Sequence, residues 1–470
     1  MGLEFEGQEH TFGAIEKASN RLANRLVANG LTVGDRVGGY LPNCPALVET
    51  HLAALKLGAV YTPINALYRA REVEHIVADS DPRIVVTTNE LSAHLPSRVD
   101  RLVVDEAGAA LGQESAERPV CPAQGESPAA LVYTSGTTGA PKGAVLTHNN
   151  LAVNAMTLHT CWAMTPSDRA LHLLPLGHLN GLANGLHTWL TTGFRMRLLK
   201  RFQKETILDD LLDFQPTFFF GVPAVYQRLM EAPPETARQI GQSTRLFVSG
   251  SAPLSADSFE RFQEMYGHSI LERYGMTETL GNISNPYMGE RRAGTVGKPL
   301  PGVSIRLSEG DHGEILVKGP NVFAGYWRNE EATRAAFTDE GCFRTGDLAV
   351  RSSDGYYTLQ GRRDDLILCG GYNIYPAEIE RLLREQPGVQ DAVVVGTPDP
   401  VRGETPVAFI LPHDGSNVEA RALEKTCRAA LASYKVPRAF HAVDEIPRNA
   451  LGKVQRSQLR GLAKESWASE

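Results

Sequence analysis

Short apolar runs along this chain close repeatedly on polar, glycine-rich turns: AALVYTSG, ALHLLPLGHLNG, TFFFGVP, RLFVSGSAP and ILERYGMTET. Runs of this length, alternating with helix-like segments, predict an α/β fold with largely parallel sheets. Ligand sites in such sheets gather at the carboxyl ends of the strands, which makes these turns the places to look for chemistry. Nearer the start, Ile15, Ala18, Leu22, Leu26 and Val27 share one helical face, predicting an amphipathic helix over 14–29 with Gly30 as its stop. Residues 83–88, RIVVTT, read as a buried strand, and 106–127, rich in Ala, Gly, Glu and Pro, as a surface loop.

The texture changes near Gly361. The run GRRDDLILCGGYNIYPAEIERLLREQPGVQDAVVVGTPDP holds a charged turn, then a helix with Pro376 near its first turn and Ile379, Leu382 and Leu383 on its apolar face. A strand over 392–395 and a helix around 423–431 follow. These predict a compact second domain of ordinary size. The predicted division is a large domain over 1–361, a hinge at 362–365 and a small α+β domain over 366–470.

Composition narrows the function classes. A chain of 470 residues is too long for one ordinary core. Its net charge of −7 and pI of about 6.0 carry no electrostatic footprint for nucleic acid. The six cysteines, Cys44, Cys121, Cys161, Cys342, Cys369 and Cys427, form no CxxC pair, which speaks against a zinc site or a disulfide framework and for reduced thiols in a cytoplasm. MGLEFEGQEH lacks the regions of a signal peptide, Glu6 breaks the myristoylation pattern, and no apolar run is long enough to span a bilayer.

Four stretches carry candidate chemistry. In LVYTSGTTGAPKGAVLTHNN a strand-like run leads into hydroxyls, glycines and a lysine, and then into an expected helix. Thr134, Ser135, Thr137 and Thr138 offer hydroxyl donors, Gly136 and Gly139 let backbone N–H groups approach an anion, and Lys142 supplies charge. This is not the Walker A pattern, because Pro141 precedes the lysine and Gly143 follows it. In ERYGMTET, Tyr274 can stack on a base, Thr277 can bond a phosphate, and Glu278 can help hold a hard divalent cation. Asp347, in RTGDLAV, is placed to accept ribose hydroxyls or is simply a turn residue, and Lys453 follows Gly452 in a polar tail.

These stretches, in this order, resemble the adenylate-forming superfamily of acyl-CoA synthetases, adenylation domains and luciferases. The resemblance runs from Thr11 to about Arg460, and YTSGTTGAPKGAVLTH and GYNIYPAEIE are its most specific parts. The stretch ahead of TFGAIEKASNRLA is shorter than is usual in the family. The resemblance implies ATP, Mg2+ and coenzyme A as ligands. It implies that 134–142 (Thr134, Ser135, Gly136, Thr137, Thr138, Gly139 and Lys142 among them) covers the β- and γ-phosphates. Gly250, Ser251, Ala252 and Pro253 would border the adenine and Tyr274 would stack on it. Thr277 would touch the α-phosphate, Glu278 would hold Mg2+, and Asp347 and Arg362 would take the ribose. Asp364 would be the hinge, Gly370 and Gly371 would line the pantetheine tunnel, and Lys453 would be a mobile catalytic lysine. Adenylation brings one anion onto another, so cations must carry it.

The acyl pocket would be lined by LPLGHLNGL, FFFGVPAVYQRL, SGSAPL and RYGMTETLGNISNP, which include His178, Asn180, Arg228, Arg273 and Met276. The run from SGSAPL to KPLPG is most similar to malonyl-CoA synthetases, in which arginines at the places of Arg228 and Arg273 hold a second carboxylate. Guanidinium and carboxylate pair through two parallel hydrogen bonds. Two features depart from that group: Leu179 and Asn180 stand where Thr and His are usual, and Gly177 stands where an aromatic is usual, which would enlarge the pocket. Arg273 is thus read either as a carboxylate clamp or as a member of a structural ion pair near Glu272. The expected activity is acid–CoA ligation through an acyl-adenylate, on malonate or a related small dicarboxylate. The alternatives are an aliphatic or aryl monocarboxylate, or transfer to an acyl carrier protein.

Overall fold

The computed structural model describes residues 2–108, 114–134, 141–369, 372–399, 402–416, 418–449 and 452–467. The chain divides into two compact units. One comprises Met1–Ile305, Leu316–Arg344 and Asp354–Tyr357; the other comprises Arg306–Ile315, Thr345–Ser353 and Thr358–Glu470.

The first unit is built on two large sheets. In the nine-stranded one, Arg169–His172, Phe218–Gly221, Leu246–Ser249 and Leu271–Met276 run parallel as neighbours. Their carboxyl ends therefore share one edge, and the turns HLLPLGHLNG, GVP, GSAP and GMTET emerge together there. The last strand turns back antiparallel onto Leu280–Ser284, so that Thr277–Thr279 form the tip of a hairpin closed by the Thr279 N–H donating to the Met276 carbonyl at 3.2 Å. The seven-stranded sheet holds Pro128–Thr134 paired antiparallel with Lys142–Thr147.

That pairing corrects the strand-to-helix reading of the first stretch. After Lys142 the chain enters a second strand, because the apolar run GAVLT pairs with AALVYT. The helix begins only at His148, where Thr147 and Asn150 form a capping box. The opening helix spans Phe12–Ala28, capped by Thr11 and buried through Ile15, Leu22 and Leu26. Val27, predicted on that face, is 49% exposed; Ser19, Asn20 and Ala23 are buried instead, because the Lys56 ammonium bonds the side chains of Ser19 and Asn20.

Three imidazoles, His51 and His172 buried and His187 half-buried, are expected to weaken this unit in acid. The Nε2 atoms of His51 and His187 lie 2.8 Å apart, so one ring must donate and the other accept. A proton on the accepting nitrogen would set donor against donor. Burial lowers His51 well below 6.5, with repulsion from His187 and His148 adding to it, and lowers His172 and His187 to about 4. The unfolded chain binds these protons near pH 6.5 and so holds more of them than the native state below that value. The stabilising contribution is complete above about pH 6.5 and is lost as pH falls to about 4. For His172 alone the loss at pH 4 is roughly 3 kcal/mol. Urea midpoints measured between pH 7.5 and 4.5 should therefore drop steeply below 6.5, and a flat profile would refute this account.

The second unit is organised on the antiparallel pair Val389–Asp399 and Gly403–Pro412. Alternation along the first strand sends Ala392 and Val394 into one apolar cluster with Ile379, Leu383 and Leu423. Val393 and Val395 enter another with Leu459 and Ala463. Helices Pro376–Arg384 and Ala420–Ala430 cover the first face, and Arg456–Trp467 covers the second. Among the described residues, no helix is long and apolar enough to cross a membrane.

Candidate active site

The hairpin formed by Leu271–Met276 and Leu280–Ser284 concentrates much of the chemistry of the first unit. Successive side chains of a strand point to opposite faces, so Glu272 and Arg273 do not meet. Glu272 is buried, and desolvation raises its carboxyl to about 8. Arg273 is only 6% exposed, and burial lowers its guanidinium to about 10, which leaves it charged at neutral pH. It lies over the Phe220 ring at 5.3 Å and donates from Nη2 to Oδ1 of Asn180. Among the described residues it forms no ion pair, and its buried Nε has no hydrogen-bond partner. Gly250 borders that nitrogen so closely that a Cβ there would lie 2.6 Å from it.

Asn180 opens a π-helical segment, Asn180–Leu186, and donates from Nδ2 to the Ser251 hydroxyl at 2.9 Å. Ser251 adopts a positive φ of 73° in the turn that also contains Ala252 and Pro253. His178 meets the Asn65 side chain at 2.8 Å. Gly177 opens no space on its Cβ side, because a Cβ there would stand 3.3 Å from the Asn65 backbone. Met276 is half-buried beside the hairpin tip. Arg228 is half-exposed and engaged with Glu231 at 2.8 Å, so it stands as a surface ion pair, apart in environment from the buried Arg273.

At the hairpin tip Thr277 is half-exposed and Glu278 is buried. Oε1 of Glu278 accepts from the Tyr326 hydroxyl at 2.9 Å. The same Tyr326 ring lies 4.7 Å from the Lys142 ammonium. One aromatic residue therefore links the lysine after the glycine-rich loop to the acidic tip residue. Behind the tip, Asn321 donates to the Thr279 carbonyl at 2.6 Å, and Asn282 donates to the Thr279 hydroxyl at 2.6 Å. Thr134 pairs with Lys142 in the strand ladder, and Tyr274 is buried. Ser135, Gly136, Thr137, Thr138 and Gly139 lie outside the described residues, as do Gly370 and Gly371.

No group of three or more His, Cys, Asp or Glu side chains among the described residues can hold a metal by itself. Glu278 suits a magnesium ion that arrives with a nucleotide, since Mg2+ commonly takes one or two carboxylates plus phosphate oxygens. The tyrosine hydroxyl holds one oxygen of Glu278 and orients the other.

In the second unit, Asp347 pairs with Arg362 Nε at 3.0 Å. The turn before it is held by the Gly346 N–H donating to Glu314 at 3.0 Å, and Glu314 also binds Arg363 at 3.1 Å. Asp364 sits in a single 3₁₀ turn, Arg363–Asp365, and its carbonyl accepts from Arg460 at 3.0 Å. Lys453 is exposed in a tight turn in which its N–H donates to the Asn449 side chain at 3.0 Å and Gly452 has φ 75°.

Sequence reading missed Tyr326, Asn184 and Asn154. Tyr326 lies in AGYWRN, far along the chain from the residues it joins, and its position beside Lys142 depends on Gly325–Tyr326 pairing with the strand Lys142–Thr147.

Two sheets carrying strand-end turns and a compact C-terminal unit bearing a tail lysine define an adenylate-forming enzyme. A family model described as AMP-binding enzyme matches residues 2–327, and one described as AMP-binding enzyme C-terminal domain matches 378–453. The chain belongs to this family. It is similar to the ATP-bound MatB crystal structure from Rhodopseudomonas palustris, with a TM-score of 0.93 and 38% identity over 99% of this chain and 96% of that one. It is 35% identical to a sulfoacetate–CoA ligase of Cupriavidus necator, over 96% of this chain and 92% of the relative. It is also 35% identical to the mitochondrial malonate–CoA ligase of Mus musculus, over 96% of this chain and 86% of the relative.

Proposed function

We propose that this protein is an ATP-dependent acid–CoA ligase acting on malonate or a closely related small acid with a second anionic group. In the first half-reaction a carboxylate oxygen attacks the α-phosphorus of ATP and pyrophosphate leaves. In the second the CoA thiolate attacks the acyl carbon, forming the thioester, and AMP leaves. Lys142 takes the outgoing pyrophosphate end, and Thr277 and Lys453 take the α-phosphate. Tyr274 stacks on the base beside 250–253, and Asp347 with Arg362 takes the ribose. Glu278 holds Mg2+, which when bound supplies positive charge at the phosphate oxygens. Residues 362–365 form the hinge about which the C-terminal segment turns between the half-reactions. The thioester-forming acceptor is CoA, the thiol in the names of the relatives.

The observation that carries the acid assignment is Arg273: a buried guanidinium with no ion pair among the described residues and an unpartnered Nε. Removing a guanidinium from water is costly unless a charge meets it, and a substrate carboxylate or similar anion supplies that charge. Similarity to ligases named for malonate and for sulfoacetate, both small acids with two anionic ends, supports the same reading. The test is purified protein with ATP, Mg2+, CoA and a panel of malonate, methylmalonate, acetate, medium-chain fatty acids and benzoates. The expected products are AMP, pyrophosphate and malonyl-CoA. Formation of ADP, or preference for apolar monocarboxylates over malonate, would overturn the reading at the class and substrate levels respectively.

A further inference from the structure

A chain of three asparagine amides runs from one strand of the hairpin to the guanidinium on the other. The Gly281 N–H, on Leu280–Ser284, donates to Oδ1 of Asn154 at 3.0 Å. Asn154 Nδ2 donates to Oδ1 of Asn184 at 2.9 Å. Asn184 Nδ2 donates to Oδ1 of Asn180 at 2.8 Å, and the same oxygen accepts from Arg273. Asn154 and Asn184 are fully buried. They come from separate elements, the helix His148–Cys161 and the π-helical segment Asn180–Leu186.

The direction of every amide in this chain is determined from both ends. A backbone N–H can only donate, so Asn154 must turn its oxygen toward Gly281 and its NH₂ toward Asn184. That forces Asn184 to present its own NH₂ to Asn180. A guanidinium can likewise only donate, so Asn180 must turn its oxygen toward Arg273. The two constraints agree, and the lone pairs of the Asn180 oxygen are then filled by Asn184 and Arg273. An isolated asparagine could exchange its oxygen and nitrogen at little cost; this one cannot without setting donor against donor in a buried site, which is expensive.

We propose that Asn184 and Asn154 are positioning residues for acid selection, acting through Asn180 on Arg273. They hold a neutral oxygen on one N–H of the guanidinium, which fixes its orientation without cancelling its charge. A carboxylate at 180 would neutralise the arginine; a turned amide would repel it. The neutral relay leaves the full charge of the guanidinium for the anionic tail of the acid. Asn180 and Asn184 stand four residues apart in the segment, a spacing that sets their side chains next to each other. This inference rests on the proposal that Arg273 binds the second anionic group of the substrate.

The test compares malonate with monomethyl malonate, which replaces the distal carboxylate by a neutral ester. Asn184→Leu removes both relay bonds while keeping the number of side-chain heavy atoms. Asn154→Asp changes one atom: its carboxylate, ionised at the assay pH of 8 or above, keeps the acceptor for Gly281 but loses the donor for Asn184, so the reversal passes along to Asn180. Both variants should raise KM for malonate about tenfold while moving kcat much less. The ratio of kcat/KM for malonate to that for the ester should fall about tenfold. A relay that only supported the fold would change both acids alike and lower kcat with KM. If wild type prefers malonate, and the variants keep that ratio within about twofold, the relay is overturned while the substrate reading stands. If wild type shows no preference for malonate over the ester, the substrate reading fails first. Should Asn184→Leu not fold, Asn154→Asp decides alone, because it alters no volume.

Discussion

Lys453→Ala should slow acid-dependent pyrophosphate release by about 10²–10³-fold, the range seen when one preorganised donor to a developing charge is removed. The same variant should convert supplied malonyl-adenylate and CoA to thioester at a rate within about threefold of wild type. The reason is where charge builds. In the first half-reaction a carboxylate approaches a triphosphate, and negative charge accumulates on the α-phosphate oxygens, so a withdrawn cation is felt directly in the transition state. In the second, a thiolate attacks an acyl carbon and AMP departs, and no triphosphate has to be neutralised. Lys453 is exposed in a tight turn, in which its own N–H donates to the Asn449 side chain and Gly452 takes a positive φ. Pyrophosphate release and single-turnover thioester formation, measured separately on the purified variant, check the split. Equal loss in both would remove the assigned role.

Arg273→Leu should cut kcat/KM for malonate by roughly 10²–10³-fold, the kinetic equivalent of about 3–4 kcal/mol, because breaking one side of a buried charge pair leaves the other charge uncompensated. Activity on propionate should fall far less, since that acid has no second charge to strand, so the order of preference between the two acids should narrow or invert. Arg273→Lys should not restore the loss, because an ammonium cannot offer the planar fork that matches a carboxylate edge. Arg273 is the sharper target of the two arginines singled out in the sequence. Arg228 already holds Glu231 at half exposure, where an ion pair is worth little, whereas Arg273 meets a neutral amide and an aromatic face and, among the described residues, no carboxylate. Steady-state kinetics on both acids decide the matter, and a parallel loss on malonate and propionate would mean that Arg273 supports the fold alone.

Some elements were legible in the sequence because they are local. ILERYGMTET read as a strand ending in a polar turn, and Thr277 and Glu278 lie at that turn, which the pairing with Leu280–Ser284 makes a hairpin tip. The capped helix after Thr11 and the Pro-started helix at Pro376 were readable for the same reason. The errors were equally physical. The run after Lys142 is apolar and short, a length at which periodicity does not separate helix from strand, and its partner Pro128–Thr134 decided for strand. Val27 fits the apolar stripe by spacing, but the buried ammonium of Lys56 recruits Ser19 and Asn20 to the inner face and leaves Val27 outside.

By itself the sequence determined the class of chemistry. Glycines, hydroxyls, a lysine and an acidic turn residue in a particular order are covalent facts, and each acts through groups a few residues apart. What only the tertiary structure decided is the state of the charges. Whether Arg273 is neutralised, shared or left for a substrate depends on which oxygens come within hydrogen-bonding distance, and those belong to Asn180, Asn184 and Asn154, brought in from a π-helical segment and a separate helix. Hydrogen bonds and Coulomb terms act through space over a few ångströms, so the neighbour that matters for a buried charge is set by packing and not by distance along the chain.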